Sequence, residues 1–106
     1  MRIVLSTIPP QAAQTLASRL IDERVAACVN ILPGVRSVYR WNGAVDCADE
    51  VLLVMKTSDE QCAQLIAFLE SEHPYDVPEI VTLDVLSCNA AYAAWVSAET
   101  SPVQSD

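Results

Sequence analysis

The chain has 106 residues, 52% of them hydrophobic, which is enough for one domain with a modest core and unlike the composition of a disordered protein. Its formal net charge of −8 would repel polyanions, so we expect neither nucleic acid nor an anionic membrane surface as a partner. No apolar run approaches the ~20 residues of a membrane helix, and the first residues resemble a strand rather than a secretory signal, so we expect a cytoplasmic protein.

The first part of the chain predicts a strand followed by a helix. Residues 2–7 have the composition of a strand that ends before Pro9-Pro10. Residues 11–24 carry apolar side chains at helical spacing, with polar side chains between them. A long extended stretch follows over residues 26–41, with an interruption at Pro33-Gly34.

The centre of the chain predicts a hairpin. Asn42-Gly43 favours a type I′ turn, because both central positions of that turn need a positive φ. The return strand runs to Lys56 and contains the uninterrupted apolar segment 51–55. A strand with one face in water should alternate apolar and polar residues, and this segment does not. We therefore expect the open face of the sheet to pack against other copies of the chain.

The second half predicts a helix, a strand and a final helix. Ser58 with Gln61 forms a candidate capping box for a helix that ends at His73-Pro74. Residues 79–86 read as a fourth strand, and Asn89 as the cap of a short last helix.

The predicted order of elements is β-α-β-β-α-β followed by a helix. It matches an α+β, ferredoxin-like fold, in which two helices cover one face of an antiparallel sheet. We expect one domain over residues 1–99 and a flexible tail over residues 100–106.

Several kinds of site are absent from the sequence. With only two glycines, Gly34 and Gly43, the chain has neither a phosphate-binding P-loop nor a dinucleotide fingerprint. The four cysteines form no C-x-x-C pair, so we expect free thiols and no zinc ribbon.

The candidate ligand residues cluster near the only histidine. His73, Asp76 and Glu79, together with a thiolate such as Cys28, could supply a mixed donor set suited to copper or zinc. The alternative is that His73 only terminates a helix in a turn fixed by proline.

Three further residues stand out. Lys56, the single lysine, shares a strand face with Glu50 and could pair with a carboxylate in a cleft between subunits, or be an ordinary residue at a strand end. Trp41 beside the hairpin could stack on a ligand or pack against a partner. A nucleophilic pair of Cys28 with His73 is conceivable, but no local motif supports it, and we predict that the protein is not an enzyme.

The spaced motifs resemble the CutA divalent-cation tolerance family over about residues 2 to 98. They are Ala26-Ala27-Cys28-Val29-Asn30-Ile31 with Pro33-Gly34, Tyr39-x-Trp41-x-Gly43, Glu50-Val51, Lys56-Thr57, His73-Pro74-Tyr75-x-x-Pro78-Glu79 and Tyr92-x-x-Trp95. The resemblance implies a tight homotrimer similar in architecture to PII signalling proteins, and an association with tolerance to copper and other divalent cations.

The resemblance also implies candidate site residues. Some copper-binding members have a cysteine where this chain has Ser6, and two histidines where it has Glu72-His73. These differences disfavour a soft Cu(I) site and leave weak divalent binding through Glu72, His73 and Glu79. The resemblance implies a cleft between subunits lined by Cys28, Lys56, Tyr75 and Glu79, with Trp41 as a further wall.

We therefore predict a trimeric protein of the CutA kind that takes part in the response to divalent metal ions. It would bind copper, another divalent cation or a small ligand at a cleft between subunits, and it would need no cofactor. The alternatives are a PII-like sensor of a small anionic metabolite, with Lys56 as the anion contact, and a scaffolding trimer without metal chemistry.

Overall fold

The computed structural model describes residues 1–102, and the structural statements below refer to that part of the chain. The last four residues of the predicted tail, 103–106, lie outside it. The described residues form four strands and three helices, in the order β1 (Arg2–Ile8), α1 (Pro10–Asp22), β2 (Cys28–Trp41), β3 (Ala44–Thr57), α2 (Cys62–Glu72), β4 (Val81–Asp84) and α3 (Ala90–Glu99).

The strands form one antiparallel sheet in the order β2-β3-β1-β4. This order and the two helices packed on one face confirm the predicted ferredoxin-like α+β fold. The fourth strand is shorter than the predicted residues 79–86, because only Val81–Asp84 pair with β1. None of the helices in the described part is both long and apolar enough to span a membrane.

The core lies between the sheet and the first two helices. Alternate residues of β1 and β3, such as Val4 and Leu53, are fully buried on this face. Leu16 and Leu20 of α1 and Leu65 of α2 cover them. The apolar stripe predicted for the first helix and the apolar residues of α2 therefore belong to one continuous core.

The opposite face of the sheet, which we call the open face, is also apolar. Leu5 pairs with Val54 on β3 and with Val81 on β4, and the three side chains lie on the side away from the core. Leu32 and Leu83, on the two edge strands, remain 42% and 45% exposed. The sheet is therefore apolar on both sides, as the unbroken segment 51–55 predicts.

The hairpin between β2 and β3 confirms the turn prediction. Asn42 and Gly43 have φ angles of 50° and 80°, which are the two positive values a type I′ turn requires. The interruption at Pro33-Gly34 is a shift of register between Leu32 and Val35 within an otherwise continuous strand.

The capping box predicted at Ser58 is wrong. Ser58 Oγ accepts a hydrogen bond from the backbone N–H of Gln61 at 3.2 Å, but this closes a turn, and the helix begins only at Cys62. Asn89 precedes the last helix as predicted, without a hydrogen bond from its side chain to the helix. Thr100, the first residue of the predicted tail, is buried, and its hydroxyl donates to the carbonyl of Val96 at 2.8 Å.

Candidate functional site

A cleft with a volume of about 890 Å³ lies between the hairpin and the loop that joins α2 to β4. Its floor continues the open face, because Asp46, Ala48 and Glu50 precede Leu52 and Val54 at every second position of β3. The loop 73–80 forms the opposite wall. The lining residues are Thr7, Ser37, Val38, Tyr39, Trp41, Asp46, Ala48, Glu50, Pro74, Tyr75, Asp76, Val77 and Glu79.

Tyr75 and Glu50 join the two sides of the cleft. The phenol of Tyr75 donates a hydrogen bond of 2.8 Å to Oε2 of Glu50, which is only 6% exposed. Burial, followed by the neighbouring carboxylate of Glu50, raises the pKa of Tyr75 to about 12. The phenol is therefore a hydrogen-bond donor throughout the neutral pH range.

His73 holds the loop against the sheet. Its ring is buried, and its Nδ1 accepts a hydrogen bond from the backbone N–H of Tyr75 at 3.1 Å. The proton of the neutral ring must then lie on Nε2, which is 2.9 Å from the carbonyl oxygen of Thr7 and donates to it. Because both nitrogens bind backbone groups, the histidine fixes the position of Tyr75 in the cleft.

The residues predicted to line a cleft fall into two groups. Trp41 and Tyr75 line the cleft described above. Cys28 and Lys56 are paired across β2 and β3, and the Lys56 ammonium donates to the side-chain carbonyl of Asn30. Lys56 lies six positions after Glu50 on β3, a distance of about 20 Å along an extended strand. One protomer therefore does not bring the four residues into a single pocket.

The predicted metal ligands are also separated. Glu72 lies on α2 and forms an ion pair with Arg19, at 3.1 Å, whereas Glu79 lines the cleft. Within residues 1–102, no three side chains of His, Cys, Asp or Glu are arranged to hold a metal ion. A site built from Glu72, His73 and Glu79 is thus not assembled in one protomer.

Ser6 lies apart from the cleft, and Cys28 and His73 do not form a reactive pair. Ser6 is fully buried on the core face, and its hydroxyl has no hydrogen-bond partner among the described residues, so this position does not reach the cleft. The nucleophilic pair of Cys28 with His73 is absent, because both ring nitrogens of His73 bind backbone groups instead.

Sequence reasoning gave no role in the cleft to Glu50, Tyr39 or Asp46. The signal for Glu50 was a carboxylate directly before the apolar segment 51–55, at a position that alternation places on the open face. Tyr39 and Asp46 form a cross-strand pair near the end of the hairpin. The hairpin register that Asn42-Gly43 fixes could have placed them on the same face as Trp41.

We expect the Tyr75→Phe variant to lose one tyrosine that ionises near pH 12, when tyrosinate absorbance is followed in the folded protein. Because the pKa of Tyr75 is raised above its ordinary value of 10, the unfolded chain loses this proton first as the pH rises. The stabilisation that Tyr75 contributes is therefore fully present below pH 10 and is lost as the pH rises from 10 to about 12.

Tyr39→Phe is the matched control, since Tyr39 lies in the same cleft and is 41% exposed. The Tyr39→Phe variant should retain the tyrosine ionisation near pH 12 that we assign to Tyr75. Tyr92, whose pKa is also raised, by burial and then by Cys28, is present in both variants and therefore cancels in the comparison. A tyrosine ionisation near pH 12 that survives in Tyr75→Phe at its full wild-type amplitude would contradict the assignment.

The fold and the cleft define a class of small ferredoxin-like protein with an apolar open face and a ligand-sized cleft beside it. The CutA1 divalent ion tolerance protein family matches residues 2–99, and the chain belongs to this family. The divalent-cation tolerance protein CutA of Thermus thermophilus is 43% identical over 99 residues, which cover 92% of this chain and 96% of that protein.

Solved structures agree with this assignment. The divalent cation tolerance protein (Cut A1) from Thermus thermophilus superposes with a TM-score of 0.89 at 43% identity, covering 95% of this chain and 100% of that one. The PII-like protein CutA from Nostoc sp. PCC 7120, in its apo form, has a TM-score of 0.90 at 36% identity, covering 95% of this chain and 98% of that one. The resemblance found in the sequence is confirmed.

Proposed function

We propose that the protein is a homotrimer of PII-like architecture that binds a small ligand at the cleft without chemical conversion and takes part in divalent-cation tolerance in the cytoplasm. The observation that carries the proposal is the continuity of the open face with the floor of the cleft. Leu52 and Val54 lie on the same side of β3 as Glu50, so a copy that covers the apolar residues also borders the cleft.

The need to cover the open face supports association. An apolar surface that includes Leu5, Leu32, Val81 and Leu83 would otherwise remain in contact with water. Burial of apolar surface contributes about 25 cal/mol per Å², so covering such a face favours a stable oligomer. In that assembly the cleft becomes a site between subunits, with the Tyr75–Glu50 hydrogen bond at its base.

Direct coordination of a metal ion is the second candidate, and the position of Glu79 favours it. Asp76 and Glu79 are the two predicted metal ligands that are both exposed and in the cleft. A complete ligand set would need donors from more than one copy, because His73 is held by backbone groups and Glu72 by Arg19. Glu72, His73 and Glu79 therefore remain a prediction for a site shared between subunits.

Calorimetric titration with copper(II) separates the two candidates. If the cleft is a small-ligand site, we expect wild type and Glu79→Gln to give the same heat of copper binding. Glu70→Gln, which changes an exposed carboxylate on α2, is the matched control. A heat lost in Glu79→Gln and retained in Glu70→Gln would contradict the small-ligand proposal and favour metal coordination.

A further inference from the structure

The lining of the cleft is rich in acidic and aromatic side chains. It combines four carboxylates with three aromatic side chains, and among the described residues no lysine or arginine lines it. The carboxylates are Asp46, Glu50, Asp76 and Glu79, and the aromatic side chains are Tyr39, Trp41 and Tyr75. Such a surface repels anions and attracts a positive group.

Glu50 is a buried carboxylate that lacks a cationic partner in the described part of the chain. It is 6% exposed and lines the cleft, and its one hydrogen bond comes from the neutral phenol of Tyr75. No ion pair within residues 1–102 includes it. A buried carboxylate is stabilised by an opposite charge beside it, so Glu50 offers a pairing position to a cation that enters the cleft.

The aromatic side chains suit an organic cation. Trp41 and Tyr39 are 63% and 41% exposed, and they lie on the same face of the hairpin as Glu50. The one cation–π contact in the described residues joins Arg19 to Phe68, away from the cleft, so the faces of these two rings are unoccupied by a side-chain cation. An ammonium or guanidinium group over a tryptophan or tyrosine ring is attracted by the ring quadrupole.

The spacing of the carboxylates distinguishes an organic cation from a metal ion. A divalent ion needs several donors within about 2–2.6 Å of one point. Among the described residues no three acidic, histidine or cysteine side chains converge in this way, although four carboxylates surround a volume of about 890 Å³. The charge is spread over a space that fits a small organic molecule.

We propose, on the basis that the cleft is the ligand site of the proposed function, that its ligand is a small organic cation carrying an ammonium or guanidinium group. The cationic group lies over Trp41 and Tyr39 and is paired with Glu50. Tyr75 holds the Glu50 carboxylate in place and keeps its second oxygen directed to the ligand.

Calorimetry with a matched pair of probes tests the proposal. The probes are (2-hydroxyethyl)trimethylammonium and its uncharged isostere 3,3-dimethylbutan-1-ol, with inorganic phosphate as the anion. We expect the cation to bind at least about tenfold more tightly than the isostere, and phosphate to give no heat. We expect two variants each to lower the affinity for the cation about tenfold. They are Glu50→Gln, which keeps an acceptor for the Tyr75 phenol, and Trp41→Ala, which removes the ring at the exposed end of the hairpin.

Glu70→Gln is the control, because it makes the same change as Glu50→Gln on an exposed carboxylate of α2, on the other side of the sheet, and should leave the affinity unchanged. If the isostere or phosphate binds as tightly as the cation and Trp41→Ala abolishes that binding, the cleft remains a ligand site and the cation preference is overturned. If none of the three probes binds, both the preference and the role of the cleft are overturned.

Discussion

Replacement of Val54 by aspartate is expected to separate the proposed homotrimer into single protomers at micromolar concentration. Val54 lies between Leu5 and Asn30 in the middle of the open face, and its side chain points away from the core. A carboxylate at this position would be buried without a partner in every subunit, at a cost of several kcal/mol per copy. Sedimentation velocity of the wild type and the variant measures the change directly.

The fold of the protomer should survive the same substitution. The core face of β3 is formed by Val51, Leu53 and Met55, and none of these side chains is altered. Ala67→Asp is the matched control, because it places the same charge on an exposed position of α2, on the other side of the sheet. If Val54→Asp sediments like the wild type, the open face is not the surface of association.

Replacement of His73 by alanine is expected to lower the free energy of unfolding by about 2–4 kcal/mol. The ring is 7% exposed, accepts a hydrogen bond from the Tyr75 N–H and donates one to the Thr7 carbonyl. Its removal leaves both backbone groups without partners and opens a cavity under the loop. Urea denaturation at a fixed protein concentration measures the loss.

Glu72→Ala is the control for this experiment, since Glu72 is the exposed neighbour of His73 and its one ion pair within residues 1–102 is with Arg19 on the surface. Exposed ion pairs contribute about 0–1 kcal/mol, so the expected effect is small. The structural role of His73 also predicts that a chelator leaves the wild-type stability unchanged. A chelator that lowers the wild type to the level of His73→Ala would instead show that the histidine stabilises the protein through a metal.

Most of the fold follows from local patterns in the sequence. Asn42-Gly43 fixes the hairpin, and the hairpin sets the register that places Glu50, Leu52 and Val54 on one face. The start of α2 was missed because Ser58 bonds a nearby N–H equally well in a turn as in a helix cap. The fourth strand is shorter than its composition suggests, because only Val81–Asp84 pair with β1.

The lining of the cleft was predicted in part, and the missing part depends on long-range contacts. Trp41, Tyr75 and Glu79 all line one cleft. The separation of Lys56 from this group could have been calculated from the rise of a strand. The contact of Tyr75 with Glu50 joins residues 25 positions apart, and that of His73 with Thr7 joins residues 66 positions apart, so no local pattern reveals either.

The most direct test is the molar mass of the wild-type protein at micromolar concentration, measured by light scattering coupled to size-exclusion chromatography. We expect one species with three times the 11.5 kDa mass of the chain. A monodisperse, folded species of 11.5 kDa would contradict the association through the open face, and with it the placement of the ligand cleft between subunits.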